Sequence, residues 1–416
     1  MLHYPGRRGK NGCDRLANWI KSRGMMKVAH LFSSFRGLGG VESVLKHHHS
    51  HDAQWGIVSD FIIYFEAEIE PLERVHFLGF NSRTTIREAR QHLAATIARA
   101  RPEVAVYHGT WGMPYLSDLD QALRRVLVLH GKSAGIDQSL DFRRQWLDGV
   151  ICVSEETQEI ARRTLPSLAL ERARRLPSPV SSCPVQISRL AFGGRPLILG
   201  YCGRLTRTHK RVERLPELCR ALDQTNVDYR FEILGDGSER NWLERAFKNN
   251  PRIEFHGRKS GHDYWRVLSR WDAIVFVSDT EGLPLSLLEA LSVGVIPIYP
   301  QIGSGGDVYV KQVALELLYQ PGDLSHASQV IDRLSQLPSG QMEAWRNRGR
   351  TAVAPHLNDA YLAQFSAFLR FLLEAPRVSQ DCFPRRPPLL DHLPFAMLGR
   401  IGAWRRWFLR QTSRPS

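Results

Sequence analysis

From Lys27 onward, short apolar runs alternate with longer stretches of helical spacing. The run KVAHLF (27–32) predicts a buried strand, followed by a Gly-rich loop and a helix from about Val41. Further strands are predicted at 56–61, 75–79, 104–108, 126–130 and 149–153. Helical spacing covers 84–101 and 154–165, the second opening on Ser154, Glu155 and Glu156 as a cap signal. Residues 177–196 are rich in Pro, Ser and Gly and predict an interdomain connection, with 181–196 as the linker. A second series follows, with strands at 197–202, 230–234, 253–256, 273–278 and 295–299. Helices fill its gaps, and three more helical stretches lie between about 323 and 375. Short apolar strands interleaved with helices specify parallel sheets covered on both faces. The pattern therefore predicts an α/β chain of two doubly wound domains. Ligands of such sheets bind outside the C-terminal strand ends, which for two facing sheets means the cleft between them. The expected organisation is a basic extension (1–26), an N-terminal domain (27–180), the linker, and a C-terminal domain (197–355). A helix (356–375) and a basic, aromatic tail (376–416) complete it.

Charge adds one feature to this picture. The 416 residues carry 56 Lys+Arg against 42 Asp+Glu, a formal net charge of +14. The excess sits at the two ends, in residues 1–26 and 383–416, and leaves the body between them close to neutral. A domain that grips nucleic acid carries its basic patch on its own folded surface, so this distribution argues against nucleic acid as a partner. It suits an anionic membrane surface or a solvated extension. No run reaches the ~18 apolar residues of a spanning helix. The first residues lack the apolar core and cleavage site of a secretory signal. Met25 and Met26 immediately precede the first strand, so either serves as an alternative start. The six cysteines include no CxxC pair, which points to a reducing compartment and away from disulfides or structural zinc. A cytoplasmic location follows, with peripheral attachment to the inner face of the membrane.

The strongest chemical constellation is EGLPLSLLE (281–289), after the strand 273–278. Pro284 suits the first turn of a helix. The amides around Gly282, Leu283 and Leu285 would then point out of a helix N-terminus, which suits phosphate. Glu281 precedes the helix and Glu289 lies inside it, so one can accept hydrogen bonds from a sugar and the other from a ribose diol. Alone, the stretch fits a capping loop with one solvated glutamate equally well. Upstream, Gly203 and Arg204 follow the strand 197–202, with Lys210 a few residues on: backbone room and two cations for a diphosphate. Gly235, Asp236 and Gly237 form a tight turn at the same rim. Near the N-terminus Gly39 and Gly40 precede a helix beginning Val41-Glu42, without the GxGxxG of a dinucleotide site.

Taken in order, GGVE, GRL(x4)K, GDG and Glu-x7-Glu within EGLPLSLLEALSVGVIP resemble glycosyltransferase family four. Its members are retaining enzymes with the two-domain GT-B fold, and the resemblance spans about residues 27–375. It implies that Arg204 and Lys210 bind the donor diphosphate, that Glu281 meets the donor sugar and that Glu289 holds the ribose. It also implies that the Gly40 loop closes on the phosphate and sugar, with His108 near the reacting sugar and the last helix crossing back to the N-terminal domain. The partners implied are a nucleotide-sugar donor and a saccharide or lipid-linked saccharide acceptor of a bacterial envelope polysaccharide, with no metal or other cofactor. Two departures stand out. Arg211 follows Lys210 where the family usually has glycine, and GSGGDVYV supplies Asp307 where it often has Gly-Gly-x-x-Glu. Both bear on the donor and the loop path, not on the reaction class.

A non-catalytic nucleotide-sugar-binding scaffold on the same frame is the alternative reading, disfavoured by the presence of both glutamates and both cations. An epimerase or phosphorylase would need a different phosphate site or a covalent cofactor, for which there is no signal. Asp118 and Asp120 match a metal motif of a different transferase fold but fall in a helical stretch. Lys46–His51 reads as the cationic end of the first helix, facing its dipole, with adventitious metal as the other reading. His130, Gly131 and Lys132 end a strand, where they fit either a plain turn or a face toward the acceptor. In the tail, Met397, Ile401, Trp404 and Phe408 recur at helical spacing with arginines off the stripe. That pattern fits an interfacial helix on anionic lipid (384–416), set apart from the body by Pro384, Pro387 and Pro388. It also fits a last helix packed on the body.

Overall fold

The structure, a computed structural model, describes residues 24–37, 39–109, 119, 123–131, 147–166, 168–187, 194–377 and 391–397. Asp118, Asp120, Lys132 and the tail stripe from Ile401 lie outside the described residues. The chain divides into two compact units. One takes residues up to Cys152, Thr157–Leu176 and those from Leu362 on; the other takes Val153–Glu156 and Pro177–Tyr361.

In the first unit the apolar runs form strands β1 (Met26–Phe32), β2 (Ile57–Ile63), β3 (Val75–Phe77), β4 (Val104–Tyr107), β5 (Arg124–Leu129), β6 (Gly149–Cys152) and β7 (Ala173–Arg175). All pair in parallel, in the order β3-β2-β1-β4-β5-β6-β7. Every residue of β4, β5 and β6 is buried, the pattern of strands covered on both faces. The helix Ile86–Ala100 starts on a capping box between Thr85 and Glu88 and buries Ala89, Leu93 and Ile97 against the sheet. Other helices run over Gly40–His51 and Glu155–Thr164.

The second unit contains β8 (Leu197–Cys202), β9 (Tyr229–Leu234), β10 (Ile253–Gly257), β11 (Ala273–Val275), β12 (Ile296–Pro300) and β13 (Leu318–Tyr319), in the order β10-β9-β8-β11-β12-β13. Its centre is built around Asp272, 1 % exposed, at the start of β11. Arg195 donates to both oxygens of Asp272 at 2.7 and 2.9 Å, Arg346 donates at 3.1 Å and the Ile198 amide at 3.0 Å. One carboxylate therefore ties the segment before β8, β8 itself and the helix Ser339–Val353 to β11. The next residue back, Trp271, lies wholly buried against β8. A side chain at Gly200 would put its Cβ 2.0 Å from the Trp271 ring, so glycine is required there.

The helix Asn358–Glu374 packs on the first unit from Leu362: Ser366 donates to the Trp55 carbonyl at 3.2 Å, and Arg370 to that of Gly24 at 2.8 Å. Phe395 and Ala396 donate backbone hydrogen bonds to Thr84 and Ser82, and the Phe395 ring stands 6.1 Å from that of Phe80. Residues 391–397 thus pack on the first unit, while Pro384, Pro387 and Pro388 lie outside the described residues. Met397 is exposed. Among the described residues no helix is long and apolar enough to cross a membrane.

Removing the Asp272 carboxylate strands two arginines in a largely dry interior. Breaking a buried ion pair costs about 3–5 kcal/mol. Asp272→Ala should lower the urea midpoint of the second unit by a corresponding amount; a loss under ~1 kcal/mol would show that the carboxylate does not organise the sheet.

Candidate active site

Strand order reverses at β8, whose neighbours are β9 on one side and β11 on the other. Loops leaving the C-terminal ends of β8 and β11 diverge at such a point and leave a binding crevice. The loop after β8 runs beside the turn after β9: Gly203 donates to the Leu234 carbonyl at 3.1 Å and Leu205 to that of Asp236 at 2.9 Å. Gly235 has φ +148°, and a Cβ there would meet the Gly203 carbonyl oxygen at 1.9 Å, so both backbone angle and space demand glycine. Arg204 is exposed, with no side-chain partner among the described residues.

The loop then turns back across the rim through two left-handed residues, His209 (φ 66°) and Arg211 (φ 52°). His209 Nδ1 lies 2.9 Å from Thr280 Oγ1, and its carbonyl accepts the Asp279 amide at 3.0 Å. Arg211 stands in a conformation that favours glycine, held by ion pairs to Glu213 at 2.8 Å and Asp279 at 3.4 Å. Between these two residues, Lys210 Nζ donates to Glu281 Oε1 at 2.6 Å, and Ser278 Oγ donates to the same oxygen at 2.6 Å. The crevice is thus closed by a cation from one lip and a carboxylate from the other.

Past Glu281, the half-buried Gly282 leads to Leu283 and Pro284. Pro284 has ψ 123°, so it caps the helix and does not open its first turn, and the helix runs Leu285–Ser292. The first amide with an intrahelical partner is that of Leu287, which bonds to the Pro284 carbonyl at 3.1 Å. Glu289 is half-buried one turn in and accepts a hydrogen bond from the Tyr264 hydroxyl. Burial pushes its carboxyl above the ordinary value, an effect that the Tyr264 bond partly offsets. Tyr264 OH also lies 3.6 Å from Cys202 Sγ. Asp307 is spent locally: with Ser304 it forms a capping box that starts the helix Gly305–Val313, accepting the Ser304 amide at 3.0 Å. Tyr264, Ser278 and Thr280 escaped the sequence reading, because nothing in chain spacing tells that separate segments converge.

In the first unit, Gly39 caps the helix Gly40–His51, and Gly40 is exposed. Ser34 donates to Glu42 at 2.6 Å, folding that carboxylate back toward the glycine loop. His108 follows β4 but is only 2 % exposed. Its Nε2 lies 2.9 Å from His30 Nδ1, and its Nδ1 3.0 Å from Nε2 of the half-buried His130. Lys46–His51 does end the helix Gly40–His51, but His47 and His48 are buried there, and burial, with His48 and His51 adding to it, lowers the His47 pKa to about 3. His48 Nδ1 lies 2.8 Å from Asp52, which also accepts from Ser59. Two groups of described residues bring three ligand-type atoms within 4.8 Å: His30, His48 and Asp52, and Glu232, Glu254 and His256. In the first, Asp52 is engaged by His48 and Ser59. In the second, Glu232 accepts from Trp271 at 2.7 Å and Arg270 at 3.0 Å.

Residues 185–352, which hold this crevice, match the family model "Glycosyl transferases group 1". A putative colanic acid biosynthesis glycosyltransferase, WcaL, of Salmonella typhimurium is 27 % identical over 265 residues, 57 % of this chain and 63 % of the relative. The match thus spans less than two thirds of that relative. Among solved structures, the apo form of the lipopolysaccharide outer core galactosyltransferase WaaB superposes with a TM-score of 0.63 at 18 % identity, covering 83 % of this chain and 99 % of that one. Anabaena HepE in complex with UDP superposes with a TM-score of 0.67 at 14 % identity, covering 83 % and 100 %. These likenesses show the fold: two Rossmann-like units of the GT-B type.

The buried histidines make stability sensitive to acid. Burial lowers His30 and His130 to about 4 and His47 to about 3, against an ordinary 6.5. Below pH ~6.5 the unfolded chain takes up protons that the folded chain refuses, so stability is lost as pH falls from ~6.5 toward ~4, by at most ~1.4 kcal/mol per unit for each group. Denaturant midpoints should fall from pH 7 to pH 5. Equal midpoints at both would contradict neutral, buried imidazoles.

Proposed function

We propose that this chain moves a sugar from a nucleoside-diphosphate donor to a hydroxyl acceptor, with retention at the anomeric carbon, in the assembly of a bacterial envelope polysaccharide. The observation that carries the reading is the meeting of Lys210 and Glu281 at the strand-order reversal, beside the exposed Arg204 and a helix N-terminus. A diphosphate at this point draws Lys210 from Glu281 and gains Arg204 and the amides of Gly282, Leu283 and Leu285. Glu281, released from the lysine, accepts from sugar hydroxyls, and Glu289 with Tyr264 holds the ribose.

In the reaction the bond from the anomeric carbon to the diphosphate oxygen breaks, and a bond to the acceptor oxygen forms on the same face. The acceptor proton passes to the departing diphosphate. Arg204, Lys210 and the helix amides stabilise the charge that develops there, which removes the need for a metal. The complexes of HepE with UDP and with UDP-glucose support a uridine nucleotide, and the names of WcaL and WaaB support an envelope saccharide as acceptor. The basic, aromatic sequence beyond Met397 suits contact with anionic lipid on the cytoplasmic face, where a lipid-linked acceptor resides.

The test is transfer from a panel of nucleotide sugars to envelope oligosaccharides, run in EDTA, with product configuration read by NMR. Loss of one such charge-stabilising contact costs ~2.7–4 kcal/mol. Arg204→Ala with Lys210→Ala should therefore lower turnover at least 100-fold with the fold intact. Wild-type turnover in the double variant, an inverted product, or a strict requirement for added Mg²⁺ or Mn²⁺ would each overturn part of this reading.

A further inference from the structure

The carboxylate of Asp52 is buried where the helix Gly40–His51 ends, 2 % exposed, and two buried histidines face it. His48 stands one turn before it on the same face and places Nδ1 2.8 Å from Asp52 Oδ1. His30 reaches it from β1 and places Nε2 3.4 Å from Oδ2. One oxygen of Asp52 thus faces each imidazole, and the three side chains bring ligand-type atoms within 4.8 Å of one another. His30 Nε2 is the odd member: it is buried and has no hydrogen-bond partner among the described residues. Phe61 and Phe365 stack on the His30 ring at 5.0 and 5.9 Å and shield it from water.

A buried nitrogen that neither donates nor accepts is rare, because it loses its hydration and gains nothing in return. A divalent ion between the three side chains would remove that cost and neutralise the buried carboxylate. Donor atoms around a four-coordinate zinc, with bonds of about 2.0–2.1 Å, stand about 3.3–3.4 Å apart. The His30–Asp52 contact already has that separation, which is long for a hydrogen bond. The His48–Asp52 contact holds a proton instead, and Zn²⁺ would displace it and widen the gap by about half an ångström. The outer contacts also suit a metal, since bound imidazoles and carboxylates are held by further hydrogen bonds. His30 Nδ1 lies 2.9 Å from His108 Nε2, at the head of the histidine chain that runs on to His130, and Ser59 donates to Asp52. Two imidazoles and a carboxylate select zinc-class ions over Mg²⁺ and Ca²⁺, which take oxygen ligands. Every donor is buried, so the site is closed, and closed zinc sites are structural.

We propose that His30 Nε2, His48 Nδ1 and the Asp52 carboxylate bind a structural Zn²⁺ that ties β1 to the end of the helix Gly40–His51. The site needs no thiolate, so the scattered cysteines do not argue against it. It lies wholly in the first unit and takes no part in the chemistry proposed at the crevice, so either can fail without the other.

For the test, the full chain is purified without chelator, loaded with Zn²⁺, dialysed, and assayed for bound metal and for zinc X-ray absorption. The expected result is one Zn²⁺ per chain in a nitrogen and oxygen shell at about 2.0–2.1 Å, with imidazole scattering. A folded chain that retains no zinc overturns the proposal, and so does a shell containing sulfur. Competition with a colorimetric chelator then gives affinities. Loss of an outer partner of a metal ligand costs ~10–100-fold, and loss of a ligand costs more. Ser59→Ala should therefore weaken binding ~10-fold and Asp52→Asn more than ~100-fold. Wild-type affinity in folded Asp52→Asn overturns the site. His49 is exposed and His51 half-buried on the same helix end, so His49→Gln with His51→Gln should leave the affinity unchanged. Loss of zinc in that double variant would assign the metal to the helix surface and overturn the buried site. If Asp52→Asn does not fold, the wild-type absorption spectrum and the surface double variant still decide the question.

Discussion

A parallel sheet that adds strands first on one side of its founding strand and then on the other must send adjacent connections to opposite faces. The gap left at that point is a consequence of chain connectivity, before any side chain is chosen. In the second unit the founding strand is β8, and the gap lies between the loops that follow β8 and β11. Lys210 and Glu281, 71 residues apart in sequence, meet there at 2.6 Å. In the first unit the same reversal falls at β1, and the histidine chain crosses it. In both units the chemical groups collect beside the strand-order reversal.

The supporting structure is costly to change because each support serves more than one element. Asp272 binds Arg195, Arg346 and the Ile198 amide, so the floor under the crevice is fixed by a single carboxylate. The Gly203 carbonyl lies where a Cβ on residue 235 would have to stand, so glycine there lets the loops after β8 and β9 pack in contact. Two left-handed residues flank Lys210 and aim its side chain across the gap. The lysine and glutamate are thus satisfied by each other before any ligand arrives. In the proposed reaction a diphosphate and a sugar replace an existing ion pair and need not order two loose side chains.

Much of the fold was legible in the sequence because its strands are short and buried on both faces. Apolar runs therefore mark them directly, as at 197–202, which matches β8 to the residue. What escaped were β7 and β13, three and two residues long at the sheet edges, too short to carry a pattern. The first lip of the crevice was readable from glycine and cation spacing, and the second from the Glu-x7-Glu stretch. Tyr264 was not, because its bond to Glu289 joins a helix outside the motif. Arg211 shows a limit of another kind: its residue type argues for a changed loop, yet it adopts the left-handed backbone that glycine favours. The run 46–51 ends its helix as read, but its polar letters conceal that His47 and His48 are buried.

If the crevice is built for a diphosphate, affinity should reside in the phosphates and not in the base. Calorimetric titration of the full chain with UDP, UMP and uridine tests this most directly. The account predicts that UDP binds at least tenfold more tightly than UMP, with uridine weaker still, and that rising salt weakens UDP binding. Equal affinity for UDP and uridine would show that Arg204, Lys210 and the helix N-terminus do not form a diphosphate site.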